Sequence, residues 1–257
     1  MTASSSLGAQ RRRVAPLGVL VALALVATVA SVLPRPVAAA RTTTCSAEFQ
    51  IDETLPSGAR WQMCWELRAL EGVVLREVFY TPPGGTAVKV LGAMHLAQIH
   101  VPYDDNAARL HLESDSGLGN SLVDLEPADC PGPDSDLHTI AGTGVLCQRL
   151  AALGYAYKSY GEQQQASSLR LFSVSGFGAE NYVVAWNFDE DGTIRPEVGA
   201  TGRLQRYGGG RATGWNVGHG EFAVAHVHNY YWRLDFDLGG AADDEVQEMA
   251  AAISGDR

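Results

Sequence analysis

Alternation of apolar and polar residues over short stretches is the feature that most restricts what this chain can fold into. Residues 72–80 (GVVLREVFY), 87–94 (AVKVLGAM), 97–103 (AQIHVPY), 168–175 (SLRLFSVS), 182–188 (YVVAWNF) and 221–237 (EFAVAHVHNYYWRLDFD) all read as strands. Glycine, proline and acidic turns break them apart, as in TPPGG (81–85) and DEDG (189–192). The second turn joins YVVAWNF to TIRPEV and predicts a hairpin with a loop of about four residues. Residues 143–158 show some helical spacing. Residues 117–136 read as a long ordered loop, and 206–214 (RYGGGRATG) as a flexible connection. No repeat and no phosphate-binding glycine loop is present. The expected fold is an all-β antiparallel sandwich.

The last of these segments raises a chemical question. Successive side chains of an extended chain point to opposite faces, so His226 and His228 share a face with Tyr230, Trp232, Leu234 and Phe236. An imidazole pair on an apolar face needs partners, because burying an unpaired polar group costs on the order of a few kcal/mol. A metal ion is one such partner, and a neutral hydrogen-bonded arrangement is the other. Two histidines alone hold an ion poorly. His219 is the nearest further donor in sequence, and it converges only if the chain bends near Gly220. Imidazole suits copper and zinc alike. His95, His100, His111 and His138 are scattered, and Asp124, Glu126 and Asp129 read as a solvated loop face with too few oxygens grouped for calcium.

The first forty residues read as a signal peptide. Arg11, Arg12 and Arg13 precede an apolar run from Leu17 to Leu33, and Ala38 and Ala40 fit a small-residue cleavage pattern. An uncleaved membrane anchor is the alternative, since the run is near the lower limit for a span. Cleavage would remove four arginines and no acids, taking the net charge of −10 to −14. That balance argues against nucleic acid or an anionic membrane as partner and suits a small cationic ligand. Four cysteines in an exported chain imply two disulfides, with three connectivities open. Nearest-neighbour pairing, Cys45–Cys64 and Cys130–Cys147, is the expected one. A sandwich domain over 41–246 and an acidic, alanine-rich tail over 247–257 complete the organisation.

An ordered series of segments carries a family resemblance: WELRALEGVVLREVFY, AQIHVPYDD, SGLGNSL, WNFDEDGTI, GATG and HVHNYYWRLDFDLGG. The series resembles the catalytic β-sandwich of the copper amine oxidases, from about Trp65 to Val246, or roughly the first half of that domain. That family oxidises primary amines to aldehydes with release of ammonia and hydrogen peroxide, using copper and a topaquinone made from one of its own tyrosines. The resemblance implies that His226 and His228 are the first two copper ligands, while the family's third histidine has no equivalent before Arg257. It implies that Cys130 and Cys147 are the family's bridged pair.

Two further positions depart from the family pattern. The quinone tyrosine lies six residues before a tryptophan, and counting back from Trp186 reaches Glu180. A shifted alignment would use Tyr182 instead, at the expense of a two-residue deletion within a strand. The base slot, aligned on Gly117-Leu118-Gly119, holds Leu112. Glu113 is one step away and faces the other side. Leucine accepts no proton.

The resemblance therefore implies an exported metal- or ligand-binding module with copper and without topaquinone. The alternative is a complete primary amine oxidase, using Tyr182 as quinone precursor or a partner chain for the missing half. Primary amines or other small cations are the ligands to test. Exposed sheet edges would allow homo-oligomers or a partner chain.

Overall fold

The computed structural model describes residues 43–104, 109–204, 206–208 and 214–238. The expected signal peptide, the tail and residues 209–213 of the glycine-rich connection lie outside them. In chain order the strands are β1 (Gln50–Thr54), β2 (Arg60–Arg68), β3 (Gly72–Thr81), β4 (Val88–Pro102) and β5 (Arg109–His111). A single helical turn, α1 (Leu112–Asp115), follows. Then come β6 (Ser135–Ile140), β7 (Thr143–Lys158), β8 (Gln163–Phe177), β9 (Glu180–Asp189) and β10 (Ile194–Gly202). The last four are β11 (Arg206–Gly208), β12 (Trp215–Gly218), β13 (Glu221–Ala223) and β14 (Asn229–Phe236).

Two antiparallel sheets form the sandwich. One has the order β1-β2-β3-β4-β14, with β5 also on β4, and the other runs β10-β9-β8-β7-β6. A small third sheet, β11-β13-β12, follows the second in sequence. The core is assembled from the alternating faces that period two dictates. Tyr182, Val184, Trp186 and Phe188 of β9 are buried on one side, and Trp61, Met63 and Trp65 of β2 are buried on the other. Trp61 meets Phe188 with ring centres 5.0 Å apart, and its indole N–H donates to the Asp189 carbonyl at 3.0 Å. Both cysteine pairings are formed, Cys45–Cys64 and Cys130–Cys147.

Three segments differ from the sequence reading. Residues 143–158 are strand β7, paired with β8 from Cys147↔Phe172 to Lys158↔Gln163. Sheet pairing outweighs the helical spacing of its apolar residues, which is the usual result when tertiary context and propensity conflict. The two expected strands 87–94 and 97–103 are one, β4, because Met94, His95 and Leu96 stay paired with β14. The single strand expected over 221–237 is instead two. Val224 to His228 are released from regular pairing, apart from a bridge between Tyr103 and His226, while the chain leaves the small sheet for the large one. Both histidines of the H-x-H motif lie in that lead-in.

The Gly117-Leu118-Gly119 segment is held against the β2–β3 turn. The Leu118 amide donates to the Leu70 carbonyl at 2.7 Å, and the Asn120 amide to the Ala69 carbonyl at 2.9 Å. A Cβ on Gly119 would sit 2.0 Å from the Arg68 carbonyl oxygen, so the close approach requires glycine.

Candidate metal centre

β9 and the lead-in to β14 supply the site from opposite sheets. Glu180 and Tyr182 are two residues apart on β9 and share its inward face. Across the sandwich, His226 and His228 turn their rings toward them, 4.7 Å from each other. Glu180 Oε1 lies 3.2 Å from His226 Nε2, and Glu180 Oε2 lies 3.8 Å from His228 Nε2. One ligand atom from each of the three residues falls within 4.8 Å of the others. Among the described residues no other group of histidine, cysteine or carboxylate side chains converges in this way.

Hydrogen bonds occupy the remaining polar atoms. Tyr182 donates its hydroxyl to Glu180 Oε2 at 2.8 Å, and the phenol oxygen itself lies 3.0 Å from His228 Nδ1. His226 Nδ1 is 3.4 Å from the Val224 carbonyl. Burial pushes the His228 imidazole below its ordinary value, opposed by the Glu180 carboxylate, so the ring stays neutral near pH 7. Burial, reinforced by the hydrogen bond to Glu180, pushes the Tyr182 phenol well above its ordinary value, so it keeps its proton.

The donor set fits a first-row divalent ion. Imidazole nitrogen and carboxylate oxygen bind such ions at about 2.0–2.2 Å, which places two donors on one ion roughly 3 Å apart. The His226–Glu180 separation meets this. Two imidazoles and one carboxylate also leave coordination positions open, since structural sites close with four protein donors.

The other sequence-derived positions sort as follows. His219 sits at the exposed turn between β12 and β13, with φ of 54°. The chain does bend there, but β13 and the residues after it separate the turn from His226, and His219 is not in the converging group. Glu180, the position that the resemblance aligns with the family's quinone slot, stands next to the two histidines, and its carboxylate is itself a donor. Leu112 is buried and lines a cavity of about 190 Å³ together with Tyr103, Phe177, Glu180 and Tyr182. Leu112 and Glu180, the two positions singled out by the alignment, thus face one space, and Tyr182 faces it as well. Asp124, Glu126 and Asp129 are exposed, as expected of a solvated loop face, and the Asp124 carboxylate also accepts from the Gly144 amide at 2.7 Å.

Known proteins place this geometry in context. Residues 155–256 match the copper amine oxidase enzyme domain. A primary amine oxidase of Lens culinaris is 24% identical over 226 residues, covering 75% of this chain and 34% of its own length. One from Klebsiella aerogenes is 27% identical over 233 residues, covering 74% and 30%. The chain thus spans about a third of these curated relatives. A copper-containing benzylamine oxidase from Hansenula polymorpha superposes with a TM-score of 0.59 at 19% identity, over 80% of this chain and 37% of that one. With the ordered segments, the sandwich and the H-x-H lead-in in agreement, the chain carries a copper amine oxidase-like domain.

Proposed function

We propose that this chain is an exported copper-binding protein built on the amine oxidase sandwich, without the family's quinone chemistry. The observation that carries the reading is the convergence of His226, His228 and Glu180 from two sheets on one point. Copper(II) stands highest among divalent first-row ions for nitrogen and oxygen sites. Glu180 in the quinone slot and Leu112 in the base slot speak against amine oxidation. Two disulfides suit an oxidising compartment. The cavity beside Glu180 would take a small ligand with an apolar body and a cationic head. Self-association along the outer strands β10 and β14 accompanies this reading.

Calorimetry and electron paramagnetic resonance test it. About one copper(II) per chain is expected, lost in His226→Ala and in His228→Ala, weakened in Glu180→Ala and unchanged in His219→Ala. Absence of binding, or binding indifferent to His226→Ala, would show instead a metal-free cluster in which His226 donates to Glu180.

One observation favours the second reading, an amine oxidase with Tyr182 as quinone precursor: its hydroxyl stands 3.0 Å from His228 Nδ1. A redox-cycling quinone stain on copper-loaded, aerated protein separates the two readings.

A further inference from the structure

Tyr182 is the group whose hydrogen bonds decide what the donors present. The phenol has one proton to give and lies within hydrogen-bond distance of two atoms, Glu180 Oε2 at 2.8 Å and His228 Nδ1 at 3.0 Å. The shorter of the two contacts is the hydroxyl's donation to Glu180 Oε2, a carboxylate oxygen that accepts, so the phenol proton points to Glu180. The contact with His228 then requires the reverse polarity, with Nδ1–H donating to the phenol oxygen. A neutral imidazole protonated at Nδ1 carries its lone pair at Nε2. Among the described residues the other tautomer finds no partner in Glu180, because Nε2 is 3.8 Å from it, too far for a hydrogen bond. The same phenol also divides the work of the carboxylate. With Oε2 held by the hydroxyl, Oε1 is the oxygen turned to His226 Nε2 at 3.2 Å.

The ring itself is fixed. Tyr182 is 1% exposed. It packs between Phe177, at 5.9 Å between ring centres, and Tyr230, at 6.5 Å edge-on. Its hydroxyl therefore cannot follow the donors and instead sets where they stand.

We propose that Tyr182 is a positioning residue of the metal centre: its hydroxyl fixes the Nδ1–H tautomer of His228 and the orientation of Glu180, so that His228 Nε2 and Glu180 Oε1 face the ion. This rests on the metal-binding reading. Partners of this kind typically contribute 10–100-fold to metal affinity. Tyr182 differs from the usual second partner of a ligating histidine in serving two donors from two sheets at once.

Two measurements on the full chain test the proposal. The first needs no metal. Long-range proton–nitrogen correlation spectra of metal-free protein are expected to show His228 as the Nδ1–H tautomer, and Tyr182→Phe is expected to shift it toward Nε2–H or a mixture. An Nε2–H tautomer in the wild type overturns the proposal. The second compares copper affinity and pulsed electron paramagnetic resonance in wild type and Tyr182→Phe. A 10–100-fold loss of affinity is expected, with an altered remote-nitrogen signal from His228. Equal affinity and an unchanged nitrogen signal overturn the proposal while leaving copper binding intact. Failure of the wild type to bind copper sinks the reading beneath it, and the tautomer measurement still decides what Tyr182 does.

Discussion

Trp186 of β9 and Trp232 of β14 meet edge-on across the sandwich, ring centres 6.2 Å apart and planes at 75°. Tyr182 faces His228 at the same sequence separation, 46 residues, and Glu180 faces His226 one step further along. Glu180, His226 and His228 are the end of a ladder of cross-sheet contacts whose upper rungs are aromatic.

Trp186→Ala should therefore damage both the core and the site. Trp186 is fully buried, and truncating such a side chain costs about 3–5 kcal/mol. Urea unfolding is the measurement, with copper affinity falling in parallel. A change in stability below about 1 kcal/mol would mean that the sandwich can repack around the gap.

Gly119→Ala tests the close approach of the glycine segment to the β2–β3 turn. The new methyl would meet the Arg68 carbonyl oxygen at 2.0 Å, and backbone cannot swing away as a side chain can. A destabilisation of about 3 kcal/mol is expected, the upper end for overpacking. An unchanged melting temperature would place the segment elsewhere.

His95 makes stability depend on pH. Burial pushes its imidazole below the ordinary value near 6.5, so the unfolded chain takes up a proton before the folded one does. The contribution of His95 to stability is complete above about pH 6.5 and declines as pH falls from there through the lower folded value. Urea midpoints at pH 8 and pH 5.5 should differ less in His95→Gln than in wild type. Identical differences in the two proteins would remove His95 as a cause.

Copper-loaded protein in air should give no peroxide with benzylamine, tyramine or phenethylamine. On the proposed reading a general base is lost, which alone typically slows such chemistry 10²–10⁴-fold, and a chain without the quinone would have no electron sink. Glu180→Tyr alone should not restore activity, because on the proposed alignment Leu112 would still fill the base slot. Amine-dependent peroxide that disappears in Tyr182→Phe would reverse this conclusion.

Much of the sandwich was legible because period-two alternation is a direct image of a strand with two unlike faces. Phe188, Trp186 and Tyr182 read as one face from spacing alone, and they are one face. Residues 143–158 misled because Val145, Leu146, Leu150 and Leu153 repeat at helical intervals, while the pairing that makes them a strand comes from β6 and β8. His226 and His228 were visible as a pair, but their partners lie on another sheet, and no local pattern connects Glu180 to them. Only the family alignment put residue 180 beside the histidines. His219 is near the pair in sequence, but that nearness counts for little once a tight turn sends the chain into β13.

The division of the donors between β9 and the approach to β14 also sets an order of events. Neither half alone offers all three donors, so the full centre comes into being only when the two sheets have closed on each other. An ion bound there would favour the closed sandwich over every open form, by an amount that grows with the logarithm of its free concentration. Copper would then be a latch on a finished fold rather than a seed for it, and resistance to unfolding would report the metal supply of the compartment.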